Sequence, residues 1–267
     1  GKPPQLYFIS QGRVVDSRGK PVPGGAGHGR YNLSAVALAP LGQGTGLRVA
    51  ARSGSGANAR LYLGTTGGAL TPTAVTGRLS RPSWTPDGHE VWIGDGAKLY
   101  RVTAAGAVSE VSVTAANGKV SGMITAVRVD PGGVRVAMVV TASDGTAQVW
   151  VGAIVRSAKS VRVSNAQPIS PQGVVVTDVA WNDQLKLFAI GHEKSTGDPS
   201  VYELQCDGSL WNARGIGNLP QAPDSITVAE NVVAAVSTGP TVYEQSGGSW
   251  TSPNTGPTYG TNPVYVE

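Results

Sequence analysis

Cysteine, phenylalanine, methionine and histidine are scarce in this 267-residue chain, which has one Cys, two Phe, two Met and three His. The single Cys206 cannot form an internal disulfide, and one thiol excludes a cysteine-based zinc site. A lone cysteine favours a reducing compartment but does not exclude an exported domain. The histidines, His28, His89 and His192, show no metal-ligand spacing. The sequence therefore predicts no metal and no cofactor.

Long apolar runs, helical periodicity and basic clusters are also absent. No apolar run approaches the ~18 residues that span a bilayer, and no window carries apolar residues at spacings of three and four. The net charge is +4, from 21 basic and 17 acidic residues, but no run of Lys or Arg exceeds two. A nucleic-acid binder usually concentrates its basic charge on one face, so we expect no nucleic-acid partner.

Glycine and proline, by contrast, are abundant. The 37 Gly and 18 Pro are spread along the chain and divide it into many short elements. Hydrophobic residues make up 40% of the sequence, which is enough for a packed core. Short apolar segments between turn residues are typical of an all-β protein.

A four-residue pattern occurs six times: Ala or Pro, any residue, Leu or Val, then Tyr or Trp. The copies are Pro4–Tyr7, Ala59–Tyr62, Ala97–Tyr100, Ala147–Trp150, Pro199–Tyr202 and Pro240–Tyr243. Four short strands at a period of about 40 to 50 residues are typical of the blades of a β-propeller. In such a fold this pattern marks the third strand of each blade.

A second set of matches marks the first strand of each blade and the turn after it. Trp84 precedes Pro86-Asp87-Gly88, and Trp181 precedes a similar polar turn, so we expect both tryptophans to pack between blades. Val136–Val140 is apolar at every position, as in a strand buried on both faces. Four aspartates stand before glycine, which is typical of tight turns and not of a calcium site: Asp87, Asp95, Asp144 and Asp207.

The two ends of the chain predict how the ring closes. Leu6–Ser10 and Arg13–Ser17 have the pattern of a third and a fourth strand, and Pro263–Val266 has that of a first strand. Together they predict a sixth blade closed by pairing the N- and C-terminal strands, although no second strand for it is evident. Five blades with extra edge strands is the alternative. Residues 1–267 form one propeller domain in either case.

Long loops predict where binding occurs, because a rigid scaffold usually carries its functional residues on loops. In a propeller, the second-to-third loops and the crossovers between blades open on one face. Here they include 18–30, 114–122, 165–173, 191–198 and 253–262, and Gly24–Gly27 has the composition of a flexible loop. We predict a partner-binding surface on that face, formed by Arg18, Lys20, His28, Arg30, His192, Glu193, Lys194 and Asp198. The sequence has neither a nucleophile elbow nor a phosphate loop, so it predicts no catalytic residues.

The segments PSWTPDG, LSAVALAP and PPQLYFISQGRVVDSRGKPVPG carry a family resemblance. With the low-charge, Ala/Gly/Val-rich composition, they make the whole chain similar to the C-terminal β-propeller domain of the LpqB-type actinobacterial lipoproteins. The resemblance implies a longer protein with a lipidated N-terminal Cys and a GerMN-like domain upstream. Gly1–Pro4 fits a piece cut from such a chain, and no signal peptide stands at its start.

The resemblance also implies a function. Proteins of this kind are anchored to the outer side of the cytoplasmic membrane and associate with the extracytoplasmic domain of the MtrB sensor histidine kinase. Through it they modulate MtrAB two-component signalling, which bears on cell division and cell-wall homeostasis. We therefore expect a non-enzymatic interaction module. The alternative is a propeller that binds or processes cell-wall glycans, and the propeller fold alone does not choose between the two.

Overall fold

The computed structural model describes residues 3–207, 210–218, 223–229, 233–238, 241–246, 249–251 and 259–267. These residues form 23 strands and two three-residue 3-10 helices, Gly25–Gly27 and Gly56–Asn58. Within the described ranges, neither helix has the length or the apolar character needed to cross a bilayer. The all-β prediction is confirmed.

The strands follow one another as antiparallel sheets. The chain begins with β1 (Gln5–Ser10) and β2 (Arg13–Asp16). Sheet I consists of β3 (Leu33–Pro40), β4 (Leu47–Ser53), β5 (Ala59–Thr65) and β6 (Thr71–Gly77). Sheet II consists of β7 (Ser83–Trp84), β8 (Glu90–Asp95), β9 (Lys98–Thr103) and β10 (Val108–Ala115). Sheet III consists of β11 (Met123–Val129), β12 (Arg135–Thr141), β13 (Ala147–Arg156) and β14 (Val161–Pro168).

The remaining strands complete a ring. Sheet IV consists of β15 (Val174–Trp181), β16 (Lys186–Glu193), β17 (Pro199–Asp207) and β18 (Leu210–Asn218). Sheet V consists of β19 (Pro223–Ala229), β20 (Val233–Thr238), β21 (Thr241–Ser246) and β22 (Ser249–Thr251). The last strand, β23 (Thr261–Val266), joins β1 and β2 in the three-stranded sheet VI. Parallel pairing between β10 and β14 also joins sheets II and III at their outer rims.

The predicted closure by the N- and C-terminal strands is confirmed, but the strand positions in that sheet were predicted wrongly. β1 pairs directly with β23, so Leu6–Ser10 is the second strand and not the third. β2 is accordingly the third strand. A single bridge between Val15 and Pro21 takes the place of a fourth strand. The four-residue pattern gave the wrong strand position because it records only which side chains face the core. This alternation is the same in every strand of a blade, so it does not identify the third strand.

Among the described residues, six hydrophobic clusters hold the ring together, each between two neighbouring sheets. Trp92 and Met138 lie in the cluster between sheets II and III, and Leu187 lies in the one between III and IV. Phe8 of sheet VI meets Val242 of sheet V. The other clusters join I with II, IV with V and VI with I. Every residue of Val136–Val140 is buried, as predicted for a strand covered on both faces.

A hydrogen bond from or to a side chain also joins the inner strands at each of these interfaces. Trp84 Nε1 donates to the Ala37 carbonyl at 3.1 Å, and Trp181 Nε1 donates to the Arg128 carbonyl at 2.9 Å. The prediction that both tryptophans lie between blades is therefore confirmed. The other four interfaces have equivalent bonds: Val129 N to Ser83 Oγ, Thr177 Oγ1 to the Pro223 carbonyl, Tyr265 N to Thr227 Oγ1, and Asn262 Nδ2 to the Val36 carbonyl.

Several predicted loops are shorter than the sequence indicated. β14 extends to Pro168 and β16 to Glu193, so the loops are 169–173 and 194–198. β10 extends to Ala115, and β23 begins at Thr261, whereas 253–258 lie outside the described residues. The strands run on because cross-strand partners are available, such as Val175 for His192.

Gly24–Gly27 is packed against the ring and is not a free loop. Gly25, Ala26 and Gly27 are buried, and Gly25 N donates to the Gly68 carbonyl at 2.8 Å. A Cβ at Gly27 would lie 1.8 Å from the Val22 carbonyl oxygen, so this position requires glycine. The composition that indicated flexibility instead permits close approach of two backbone segments.

Candidate functional site

The ring has two faces that differ in their loops. The turn face carries the turns that join the first strand of a sheet to the second, such as Pro86-Asp87-Gly88 of sheet II. The crossover face carries the second-to-third loops and the segments that connect one sheet to the next. The predicted partner-binding residues were all expected on the crossover face.

Arg18 and Lys20 lie on the turn face, which corrects that expectation. They line a groove of about 570 Å³ together with Thr45 and Thr66, which belong to turns of sheet I. Asp16 Oδ1 fixes the local turn by accepting from Arg18 N and Lys20 N, both at 2.9 Å. The face was predicted wrongly because β2 is a third strand, so that the chain leaves it at the turn face.

His28 and Arg30 lie at the crossover face, after the chain has crossed from the turn face while packed against sheets VI and I. The segment is fixed there by a bond from Leu33 N to the Gly12 carbonyl at 2.9 Å. His28 is exposed at the end of the first 3-10 helix. The Arg30 guanidinium is exposed and lies 4.9 Å from the centre of the Tyr31 ring.

The other predicted residues belong to sheet IV and lie on the crossover face. His192 and Glu193 are half-buried in β16, and Glu193 Oε1 accepts from Tyr202 Oη at 2.6 Å. Burial of the phenol, together with this contact, raises the pKa of Tyr202. Lys194 and Asp198 are exposed in the loop, which a 2.8 Å bond from Lys194 N to the Gly173 carbonyl positions. The structure thus divides the eight predicted residues between two faces.

An axial channel opens at the turn face, where all six inner strands line it. Its mouth has a volume of about 240 Å³. The accessible wall is mostly apolar, with Ala37, Trp84, Val129, Val228 and Val264 contributed by different sheets. Arg128 also lines it, and a buried ion pair lies beside this mouth.

A fully buried carboxylate, Asp178 on β15, lies at the centre of that ion pair. Its Oδ2 lies 2.5 Å from Arg81 Nη1 and 3.1 Å from Arg128 Nη2, and it accepts from Ile226 N at 2.9 Å. Arg81 also donates to the Asp224 carbonyl, and Arg128 Nε donates to the Val179 carbonyl at 3.1 Å. This network ties sheets II, III, IV and V together.

A further guanidinium, Arg52 on β4, lies on the crossover-face side of this network. Arg52 Nε donates to Ser34 Oγ at 2.8 Å and Nη1 donates to the Leu79 carbonyl at 2.9 Å. Burial, together with the positive charge of Arg81, lowers the pKa of Arg52 to about 10. Burial also lowers the pKa of Arg128, against the opposing effect of Asp178. Three guanidinium groups, those of Arg52, Arg81 and Arg128, thus lie near one carboxylate, and the group as a whole is positively charged.

Sequence reasoning did not identify Arg52, Arg81, Arg128 or Asp178. A usable signal was present, because Asp178 and Arg128 interrupt otherwise apolar inner strands, VVVTDVAW and MITAVRV. A charged residue is seldom buried unless it is paired. Two such residues on neighbouring inner strands therefore indicate an ion pair on the axis.

The remaining predictions about polar residues concern turns. Asp87 Oδ1 accepts from Thr85 Oγ1 and His89 N, contacts that lower the pKa of Asp87, and Asp144 caps its own turn in the same way. The exposed His89 pairs with Asp87 at 3.2 Å, as expected for a surface residue. The Cys206 side chain lies outside the described residues. Among those that are described, no three His, Cys, Asp or Glu side chains come together as a metal site.

A ring of antiparallel sheets around an axial channel defines a β-propeller domain. The Lipoprotein LpqB beta-propeller domain family matches residues 10–266, so the chain belongs to that family. It is 31% identical over 242 residues to "Lipoprotein LpqB" of Streptomyces coelicolor, covering 79% of this chain and 37% of the relative. The Streptomyces avermitilis protein of the same name is 30% identical over 256 residues, covering 86% and 39%. The chain thus spans well under half the length of these relatives.

Solved structures support the fold alone. TolB from Acinetobacter baumannii superposes with a TM-score of 0.58 at 14% identity, covering 99% of this chain and 66% of that one. XC5397 from Xanthomonas campestris, a gluconolactonase, also gives a TM-score of 0.58 at 13% identity, covering 80% and 72%. At such low identity, neither likeness carries over an activity.

Proposed function

We propose that this chain is a non-enzymatic interaction module of a membrane-anchored envelope lipoprotein. Its partner in this proposal is the extracytoplasmic domain of an MtrB-type sensor histidine kinase, through which it modulates MtrAB signalling in cell division and cell-wall homeostasis. Membership of the LpqB propeller family supports the lipoprotein setting, since the matched relatives are named as lipoproteins. The kinase partner follows from the resemblance of the sequence.

The proposal rests on one observation: the described charged side chains on the axis are bonded to one another, whereas those on the loops are exposed. Asp178, the buried carboxylate on the axis, is bonded to two guanidinium groups and one backbone amide, which is a structural use. Exposed charged side chains instead lie on the loops of a ring that six hydrophobic clusters hold together. A rigid scaffold with polar loops suits recognition of another protein.

The direction of the terminal strands agrees with an anchor on one side. Gln5 pairs with Val266, and Pro4 and Gln5 line the turn-face groove, so both terminal strands reach the turn face. A segment preceding the propeller would therefore join it there. In this proposal the crossover face is directed away from that segment and is accessible to a partner.

Calorimetric titration with the purified kinase ectodomain tests this function. We expect saturable heat, and two matched double charge reversals locate the contact: Arg18→Glu with Lys20→Glu on the turn face, and Arg30→Glu with Lys194→Glu on the crossover face. A loss of affinity in the second variant alone is the expected result. No heat with the ectodomain, alongside saturable heat with cell-wall glycan fragments, would replace this function with the glycan-binding alternative.

A further inference from the structure

One half of the crossover face carries several exposed basic side chains. They come from the loops and crossovers of sheets I and II and their neighbours, so residues that are distant in sequence lie on the same half of the face. The exposed residues are Arg30, Arg60, Arg78, Lys98 and Lys119. We call this set the basic half-face.

Within the part of the chain that the structure describes, these side chains are not neutralised by ion pairs. None of the ion pairs among the described residues includes a member of the basic half-face. The acidic residue at this part of the face is Asp95, whose Oδ1 accepts from the backbone N of Arg78 at 3.0 Å. The basic half-face therefore presents a net positive surface to solvent.

The opposite half of the same face has a different charge. The loops of sheets III and IV carry Asp144, Glu193 and Asp198, with Lys194 as their basic neighbour. Lys194 contributes to the lowered pKa of Asp144, after the larger effect of the hydrogen bond from Thr146. Among the described residues, the crossover face thus has a basic and an acidic half.

A small cavity lies within the basic half-face, where sheets I, II and III meet. Its volume is about 190 Å³, and Arg52 and Arg78 line it together with the apolar side chains of Leu79, Met123 and Ile124. Arg52 is held in place by Ser34 and the Leu79 carbonyl, whereas Arg78 is exposed. Two guanidinium groups beside apolar walls suit a carboxylate side chain, which can accept from both.

We infer that the basic half-face binds an acidic patch on a protein partner, with a carboxylate side chain of the partner entering the cavity between Arg52 and Arg78. This inference rests on the proposed function and specifies which part of the ring makes the contact. A protein partner fits better than a bilayer, because a uniformly anionic lipid surface would also meet the acidic half and be repelled there. A protein surface can place opposite charges against both halves.

The test compares the wild-type chain with Arg30→Glu/Arg60→Glu/Arg78→Glu, and with Arg18→Glu/Lys20→Glu as a charge-reversal control on the turn face. Binding is measured with three probes: the kinase ectodomain, poly-glutamate, and phosphatidylcholine vesicles with or without phosphatidylglycerol. Each titration is run at about 0.05 and 0.3 M salt, since salt weakens exposed charge pairs more than buried contacts. Circular dichroism checks that each variant is folded.

The triple variant is expected to lose at least about tenfold in affinity for the ectodomain at low salt, because complementary charges become repulsive. The turn-face control is expected to keep wild-type affinity. The difference in affinity between the wild-type chain and the triple variant is expected to become smaller at high salt. If the wild-type chain binds the ectodomain and the triple variant binds equally well, the inference is overturned while the proposed function stands.

The other outcomes are also decisive. If the ectodomain does not bind the wild-type chain, the proposed function fails. In that case, binding of poly-glutamate that the triple variant loses would retain an acidic protein as the ligand class. Equal poly-glutamate binding by both chains would overturn the inference. Binding confined to vesicles with phosphatidylglycerol would replace the protein partner with a membrane surface.

Discussion

Replacing Asp178 with Asn tests the reasoning about the axial ion pair most directly. The substitution keeps the size of the side chain and an oxygen that can accept from Ile226 N, but it removes the negative charge. Arg81 and Arg128 are then left beside each other without the carboxylate that lies 2.5 and 3.1 Å from them. Asp178 is fully buried, and Arg81 and Arg128 are mostly buried, so water can replace the lost carboxylate only in part.

The expected cost is that of breaking a buried ion pair by removing one partner, about 3–5 kcal/mol in the free energy of unfolding. Urea denaturation followed by tryptophan fluorescence and circular dichroism measures this cost. Asp198→Asn is the matched control, since Asp198 is exposed in a loop of the same sheet, and it should leave the midpoint unchanged.

A double-mutant cycle with Arg128→Met separates the ion pair from general disruption of the channel. If the two groups interact as described, the combined loss is smaller than the sum of the single losses by at least about 1 kcal/mol. A loss below about 1 kcal/mol for Asp178→Asn, or strict additivity in the cycle, would refute the view that this network stabilises the ring.

Three further predictions concern other contacts. Glu90→Gln should cost about 1–2 kcal/mol in urea denaturation, because Glu90 lies 2.8 Å from Arg101 and 2.6 Å from Arg156 of the adjacent sheet; an unchanged midpoint would contradict this. Burial and the hydrogen bond to Glu244 raise the pKa of Tyr265 above its usual 10.0. The contribution of Tyr265 to folding stability is therefore complete below pH 10, and it declines as the pH rises further because the tyrosine ionises more readily in the unfolded chain. Tyr265→Phe should therefore lessen the fall in stability above pH 10, and parallel pH curves would argue against it. A circular permutant that joins the two ends and opens the exposed loop between β10 and β11 should fold with the same far-ultraviolet spectrum, since β1 and β23 already pair; failure to fold would show that the order of strands matters.

The strands and their grouping could be predicted from sequence because each blade repeats the same alternation of apolar residues. Trp84 and Trp181 mark first strands at the same position before a turn, and both lie between sheets as expected. The position of β1 within its sheet could not be read in this way. A four-residue alternation records burial, whereas the order of strands depends on partners that lie at the other end of the chain.

The face on which the proposed binding residues lie was predicted less well for a related reason. Arg18 and Arg30 belong to one continuous segment, and the sequence gives no sign that this segment passes from one face to the other. The crossing depends on the bridge between Val15 and Pro21 and on the contact of Gly27 with Val22, which are tertiary features. The basic half-face was also invisible in the sequence, because its members are single residues on separate loops and form no run.

Two arginines of one crossover show how the ring divides its charged residues between stability and recognition. Arg81 is directed to the axis, where Asp178 and the Asp224 carbonyl fix it, whereas Arg78, three positions earlier, is exposed at the cavity. Arg52 lies between these two environments and is affected by the positive charge of Arg81. A partner carboxylate beside Arg52 would offset that repulsion, so binding on the crossover face would also stabilise the junction of sheets I and II. The same cluster of guanidinium groups can thus hold the sheets together and favour an acidic partner at one place on the face.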